Sequence, residues 1–293
     1  MFNMGKLFNN DTRINDSLNA ISFDSIKTLS DIKIFGQFPP HDWDKRLPKQ
    51  PNEFSSLDYS NHPEGNIFHQ KKSTEDWWKY NINYYNFRDE WDFSDTSKPK
   101  IAFFGDSFTF CDGISSENTH PNYIRNLIDV RTYNVGKGGA STERIARIFS
   151  VFAKFVEHDI AVITLPHIHR EYFMDDRGFL TDLIPNVDEK NEHYKYMIPF
   201  FGLHENYQKI KLSFCINHIL TVANFYNIKV LFNTWDIPTF QLLKVVASDH
   251  LMKDVFPQSI DNLNARDRLH PGPLAQHQYA NDITKELYDR AWI

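Results

Sequence analysis

A serine stands where a buried strand is expected to end. The apolar run at 101–104 indicates a parallel strand, and Gly105 then lets the chain turn sharply because it has no Cβ. Asp106 and Ser107 follow at the carboxyl end of that strand, the edge of an open α/β sheet where ligands bind. Ser107 is thus placed to act as a nucleophile if a base lies nearby to take its proton.

A histidine near the other end of the chain could be that base. Asp267 precedes His270 by three residues, so its carboxylate could accept a hydrogen bond from Nδ1–H and leave Nε2 facing the serine. Pro271 biases His270 away from helical backbone angles, and Pro273 suits the first turn of a C-terminal helix. The spacing alone is weak evidence, because the sequence also holds a similar Glu117-x-x-His120 pattern.

Taken in order, these motifs resemble the blocks of the SGNH (GDSL) hydrolase family. The first block is Gly105-Asp-Ser-Phe-Thr109, and the last is Asp267-x-x-His270-Pro271. Between them, residues 133–142 form a strand and a glycine-containing turn that opens a helix, similar to the second block. The resemblance extends over roughly residues 83–288.

The resemblance implies a flavodoxin-like three-layer α/β/α sandwich around a parallel sheet, and a serine hydrolase that needs no cofactor. Ser107 would be the nucleophile, His270 the general base and Asp267 the residue that orients it. The backbone N–H groups of Ser107 and Gly139 would form the oxyanion hole. Asp106 would be mainly structural at this turn.

The third block departs from the family pattern. The family usually presents an asparagine after the third strand, but here the strand leads into Pro166-His167-Ile-His169-Arg170. His167, His169 or Arg170 could donate to the oxyanion instead, or the hole could have only backbone donors. The His167-x-His169 spacing also fits metal ligands, with Asp175 or Asp176 as a third, but nothing fixes that third ligand and we predict no metal.

The composition of the chain argues against some classes of binding partner and some cellular locations. The chain of 293 residues has a net charge of −6 and pI near 6.1, which argues against general nucleic-acid binding because that requires a basic surface. The two cysteines, Cys111 and Cys215, give no disulfide framework and are expected to be buried thiols in a reducing compartment. We find neither a signal-peptide pattern nor an apolar run long enough to span a membrane, and expect a cytoplasmic protein that could be released by another route.

We predict two regions along the chain. Residues 1–97 form an N-terminal extension with a cluster of aromatic residues at 77–93. Because disordered segments are poor in aromatic residues, we expect the extension to pack on the catalytic domain, as a structural arm or as a wall of the substrate groove. Residues 98–293 are the catalytic domain, with an irregular insert at about 170–203.

The catalytic domain shows an alternation of strands and helices that predicts a parallel sheet covered on both faces. The predicted strands are 101–105, 131–135, 160–165 and 229–233. The predicted helices are 120–128, 142–156 with Thr142 as N-cap, 205–226, 239–248 and 274–289.

The sequence therefore predicts a serine esterase that hydrolyses an acyl ester. Trp235, at a strand end, and the aromatic extension favour an O-acetyl group on a carbohydrate, because aromatic faces pack on sugar rings. The alternative is a non-catalytic SGNH-fold protein with a binding or structural role, for example in a particle or surface assembly.

Overall fold

A computed structural model describes most of residues 98–293 and a few residues before them. It covers Thr28, Phe54–Ser55, Lys79–Tyr80, residues 87–89, Phe93, and the ranges 99–174, 180–183, 205–256 and 270–293. Two short strands, β1 (Phe54–Ser55) and β2 (Lys79–Tyr80), pair antiparallel in the N-terminal region. The expected division at residue 97 stays a prediction.

Four parallel strands form the central sheet of the described chain. They are β3 (Lys100–Gly105), β4 (Arg131–Gly136), β5 (Ile160–Leu165) and β8 (Lys229–Thr234), in the order β4-β3-β5-β8. All of their residues are buried except Arg131, which is half-buried, and Lys229, which is exposed, because helices cover both faces. Each strand was predicted to within about one residue.

Helices connect the strands. They are α1 (Ser107–Phe110), α2 (His120–Leu127), α3 (Thr142–Phe155), α4 (Glu205–Phe225), α5 (Ile237–Val246) and α6 (Pro273–Asp289). Short 3₁₀ turns lie at Ser116–Asn118 and Ser248–His250. The N-cap of α3 was wrongly assigned to Thr142: the Ser141 hydroxyl accepts the Arg144 N–H at 3.3 Å.

The two faces of the sheet build two apolar cores. Ala102 and Phe104 of β3 point to one face and pack in the core that holds residues of α3, α4 and α5. Ile101 and Phe103 point to the other and pack with residues of α2 and α6. This alternation along one strand confirms the expected three-layer α/β/α arrangement.

The region preceding β3 contributes to the first core. Phe87 and Phe93 are buried, and the Phe93 ring packs edge-on against Tyr133 and Phe152. Arg88 is also buried and donates to the carbonyl oxygens of Phe110, Cys111 and Ile114. The remaining aromatic residues at 77–92, apart from Tyr80 and Phe87, lie outside the described residues.

The predicted insert is more regular than expected where the structure describes it. Strands β6 (Glu171–Met174) and β7 (Leu180–Leu183) pair as an antiparallel hairpin. Both strands are short and lack a clear alternating pattern in the sequence, so their pairing was missed. No helix in the described ranges is long and apolar enough to cross a membrane.

Candidate active site

Ser107 lies at the carboxyl end of the central strand β3, as predicted, and it is the first residue of the four-residue helix α1. The turn is tight because α1 packs directly on the strand ends. A Cβ on Gly105 would approach the Thr164 carbonyl oxygen to 2.8 Å, and one on Gly136 would approach Phe110 Cα to 2.8 Å. Glycine is therefore required at both positions if α1 is to stay close to the sheet.

The Asp106 carboxylate organises this turn. It caps α1 by accepting the Phe108 N–H at 3.0 Å, and its other oxygen accepts from Arg170 Nη1 at 2.7 Å and from Trp235 Nε1 at 3.1 Å. Asp106 is completely buried and Arg170 nearly so. These bonds join the turn after β3 to the segments that follow β5 and β8, next to Ser107.

The imidazole of His270 lies beside the same helix. It is half-buried and packs edge-on against the Phe108 ring, with 5.7 Å between ring centroids. Ser107 directly precedes Phe108, so the candidate base packs on the residue next to the candidate nucleophile. Asp267 lies outside the described residues, so its part in the triad stays a prediction.

The turn after β4 brings Gly139 to the same edge of the sheet. Gly139 has φ 76°, a left-handed conformation that suits glycine, and Lys137 N–H donates to Gly105 O at 2.9 Å. Asn134 fixes this turn to α1: its Nδ2 donates to Thr109 O and its Oδ1 accepts the Gly136 N–H, each at 3.0 Å.

Two backbone donors at this edge have no acceptor among the described residues. These are the N–H groups of Ser107 and Gly139, the two groups that the sequence assigned to the oxyanion hole. Ser107 is buried and Gly139 half-buried, and both follow strands whose carboxyl ends lie at the same edge of the sheet. An oxyanion hole requires N–H donors of this kind.

The segment after β5, where the family asparagine is missing, forms a turn closed by Arg170 N–H donating to His167 O at 3.0 Å. His167 Nδ1 accepts the His169 N–H at 3.2 Å, and its Nε2 lies 3.7 Å from Asp236 Oδ1. The guanidinium of Arg170 binds Asp106. The distance of either histidine from the oxyanion site stays a prediction.

Trp235 is half-buried beside α1. Its ring stacks on Phe108 with 4.9 Å between centroids and 13° between planes, and its N–H binds Asp106. The Arg170 guanidinium carbon lies 5.3 Å from its centroid. The ring therefore supports α1, and only the part of its surface left uncovered is open to a substrate.

A buried polar group that the sequence did not predict lies behind α1. His120 Nδ1 and Gln276 Oε1 are 2.6 Å apart, and Cys111 Sγ donates to the same oxygen at 3.4 Å. Burial lowers the pKa of His120 to about 3 and raises that of the Cys111 thiol to about 12, so we expect both to be neutral. Both cysteines are free and buried, as predicted.

The described residues contain no group of three or more histidine, cysteine, aspartate or glutamate side chains that could hold a metal ion. Asp175 and Asp176, considered as metal ligands with His167 and His169, lie outside the described part of the chain.

Comparison with known proteins is informative only for solved structures: no family model and no curated protein matches the sequence. The psychrotrophic esterase from Pseudoalteromonas sp. is 13% identical, with TM-score 0.43 over 66% of this chain and 99% of its own. The acetyl xylan esterase from Butyrivibrio proteoclasticus is 13% identical, with TM-score 0.47 over 74% of this chain and 68% of its own. A member of the lipolytic protein G-D-S-L family from Veillonella parvula is 14% identical, with TM-score 0.40 over 64% of this chain and 96% of its own. The structures to which this chain is similar thus include esterases and a member of the G-D-S-L family.

Proposed function

We propose that this protein is a serine esterase of the SGNH type with Ser107 as its nucleophile. The observation that carries the proposal is the convergence at one sheet edge: Ser107 begins α1, the unpaired N–H groups of Ser107 and Gly139 lie there, and the ring of His270 packs on the adjacent Phe108. Arg170 and Trp235, from the segments that follow β5 and β8, bind the Asp106 carboxylate next to Ser107.

The proposed chemistry uses only groups of the chain. The Ser107 hydroxyl attacks the acyl carbonyl carbon while His270 takes its proton, and Asp267 holds the imidazole in the required tautomer. The N–H groups of Ser107 and Gly139 stabilise the negative oxygen of the tetrahedral intermediate. The imidazolium then protonates the leaving alcohol. In the second half of the reaction, a water molecule gives a proton to His270 and attacks the acyl-enzyme, which releases the acid and restores the Ser107 hydroxyl.

Within this proposal, the substrate is an O-acetyl ester on a carbohydrate. The supporting feature is the half-buried Trp235 ring beside the nucleophile helix. Release of acetate from acetylated xylan, compared with hydrolysis of p-nitrophenyl esters of increasing chain length, tests this. Faster hydrolysis of long acyl chains would contradict it.

A second candidate is a binding or structural protein on the same scaffold, for example in a particle or surface assembly. The feature that favours it is the segment after β5, which lacks the asparagine and in which His167 and Arg170 bind other protein groups. Such a protein would hold an ester or another ligand at the sheet edge without cleaving it.

Labelling with a fluorophosphonate distinguishes the two candidates. The wild-type protein should gain the mass of one phosphonyl group on Ser107, and Ser107→Ala should gain none while its circular dichroism stays native. The matched control is Ser150→Ala: this serine is also buried, but its hydroxyl donates to Ala146 O within α3. Equal p-nitrophenyl acetate hydrolysis by wild type and Ser107→Ala would refute the esterase proposal.

A further inference from the structure

The bonds around Asp106 point beyond simple helix capping. A capping aspartate is usually solvated, and it needs only the amide hydrogen bond to stabilise a helix N-terminus. Here the carboxylate is completely buried and accepts two further donors, Arg170 and Trp235, from the segments that follow β5 and β8. A buried ion pair costs desolvation of both charges and is weak evidence for a gain in stability.

The structure also fixes Arg170 from the side away from Asp106. Lys211 Nζ donates to the Arg170 carbonyl oxygen at 3.1 Å and forms ion pairs with Glu171 at 2.5 Å and Glu143 at 3.2 Å. The Arg170 backbone is therefore tied to α3 and α4, while its guanidinium reaches Asp106. A guanidinium whose backbone is held in this way gives Asp106 a fixed partner.

Asp106 and Phe108 flank the proposed nucleophile in sequence. One oxygen of Asp106 holds the Phe108 N–H, and Trp235, held by the other oxygen, stacks on the Phe108 ring. The same ring supports His270 from another side. A shift of Asp106 would therefore move the supports of both Ser107 and its base.

We infer that Arg170 and Trp235 are positioning residues that fix Ser107 and His270 through Asp106. The inference rests on the proposed esterase function. It also gives the segment after β5 a different task from that of the missing asparagine: its arginine holds the nucleophile turn rather than the oxyanion. Misplacement of reacting groups by about 1 Å can cost about 10² in rate, so a positioning residue can matter as much as a donor.

Three substitutions test the inference. Arg170→Met removes the charge and the hydrogen bond, Arg170→Lys restores a positive donor, and Trp235→Phe removes only the N–H while keeping an aromatic ring for Phe108. Arg290→Met and Trp292→Phe are matched controls, because these residues contact each other at the C-terminal end of the chain, away from Asp106.

For an active wild type, we expect Arg170→Met to lower kcat about 30- to 100-fold and Trp235→Phe about 3- to 10-fold, with KM changed less than about twofold. Arg170→Lys should recover at least about tenfold, since one nitrogen makes the observed bond to Asp106. The controls should keep wild-type kcat. Wild-type kcat in folded Arg170→Met and Trp235→Phe would overturn the inference and leave the esterase proposal standing.

A second measurement does not depend on catalysis. Amide hydrogen exchange at Phe108 reports the bond to Asp106, and exchange at Lys100, whose N–H donates to Asp159 at 2.8 Å at the opposite end of β3, is the reference. In Arg170→Met and Trp235→Phe, Phe108 should exchange at least about tenfold faster while Lys100 is unchanged. If the wild type is not labelled at Ser107, the esterase proposal fails and this exchange alone decides the positioning role. Unchanged exchange at Phe108 in both variants would overturn it.

Discussion

Two buried histidines should make this protein lose stability in mild acid. His158 is almost fully buried among the rings of Phe104, Phe149 and Phe152, and its Nδ1–H donates to Val156 O at 2.8 Å. Burial lowers its pKa from 6.5 to about 4. Among the described residues Nε2 has no hydrogen-bond partner, so a second proton there would place an unpaired charge in an aromatic core.

The size of the effect follows from the difference between the folded and unfolded pKa. Between pH 6.5 and about 4, the unfolded chain binds more protons at His158 than the native chain does, so the free energy of unfolding falls as the pH falls. The stabilisation is complete above about pH 6.5 and is lost as the pH approaches 4. Between pH 7 and pH 5, one such histidine should cost about 2 kcal/mol.

His120 behaves in the same direction. It is completely buried behind α1 between Phe103 and Tyr279, and its pKa is lowered to about 3. Together the two histidines should remove about 4 kcal/mol between pH 7 and pH 5, a large part of the roughly 5–15 kcal/mol that stabilises a typical domain.

The assay is urea unfolding at pH 7 and pH 5 for wild type and His158→Asn, in which the amide can still donate to Val156 O. We expect the loss of unfolding free energy between the two pH values to be about 2 kcal/mol smaller in the variant. Val151→Ala, a buried and non-titrating substitution on α3, is the control and should keep the wild-type pH dependence. An identical loss in wild type and His158→Asn would refute the reasoning.

The other predictions concern the catalytic groups. Asp267→Asn should lower kcat substantially without unfolding the protein, because it disturbs the histidine tautomer, and His270→Ala should be at least as damaging; full ester hydrolysis by His270→Ala would direct the search for a base to His167 and His169. If one of these two donates to the oxyanion, its replacement by Ala should lower kcat by about 10² with little change in KM. An experimental structure with both rings more than about 8 Å from Ser107 would contradict that donor role, because an oxyanion donor must lie about 3 Å from the negative oxygen.

The strands were predictable because a strand that is buried on both faces consists of consecutive apolar residues, which the sequence shows directly. Residues 101–104 and 160–165 are continuous apolar runs or nearly so, and in the structure both segments are buried on both faces. The start of α6 was predictable for a different reason: proline within a helix is favoured in its first turn, and Pro273 begins α6. The N-cap of α3 was not, because Ser141 and Thr142 are both good caps and only backbone geometry selects between them.

The supports of the site were not predictable, because they join residues far apart in the chain. Arg170 and Asp106 are separated by 64 residues, and His120 and Gln276 by 156. Local motifs were enough to predict Ser107 and His270 as site residues. They gave no sign that Asp106 would accept hydrogen bonds from Arg170 and Trp235, which lie in the segments after β5 and β8. The Glu117-x-x-His120 pattern shows the converse: it resembles a catalytic spacing, yet its histidine is a buried structural group.

Under the proposed esterase function, the segment after β5 bears on the rate of hydrolysis. His167 Nδ1 accepts the His169 N–H and its Nε2 lies near Asp236, and Arg170 binds Asp106. The N–H groups of Ser107 and Gly139 have no backbone acceptor among the described residues. Loss of one oxyanion donor costs about 10²–10³ in rate, so a hole of two backbone donors predicts a slower enzyme than one with an added side chain. A slow enzyme depends more on the placement of its nucleophile, because fewer interactions correct a displaced transition state. The buried carboxylate beside Ser107, held by an arginine and a tryptophan from the segments after β5 and β8, is consistent with a site that relies on rigidity where it lacks a donor.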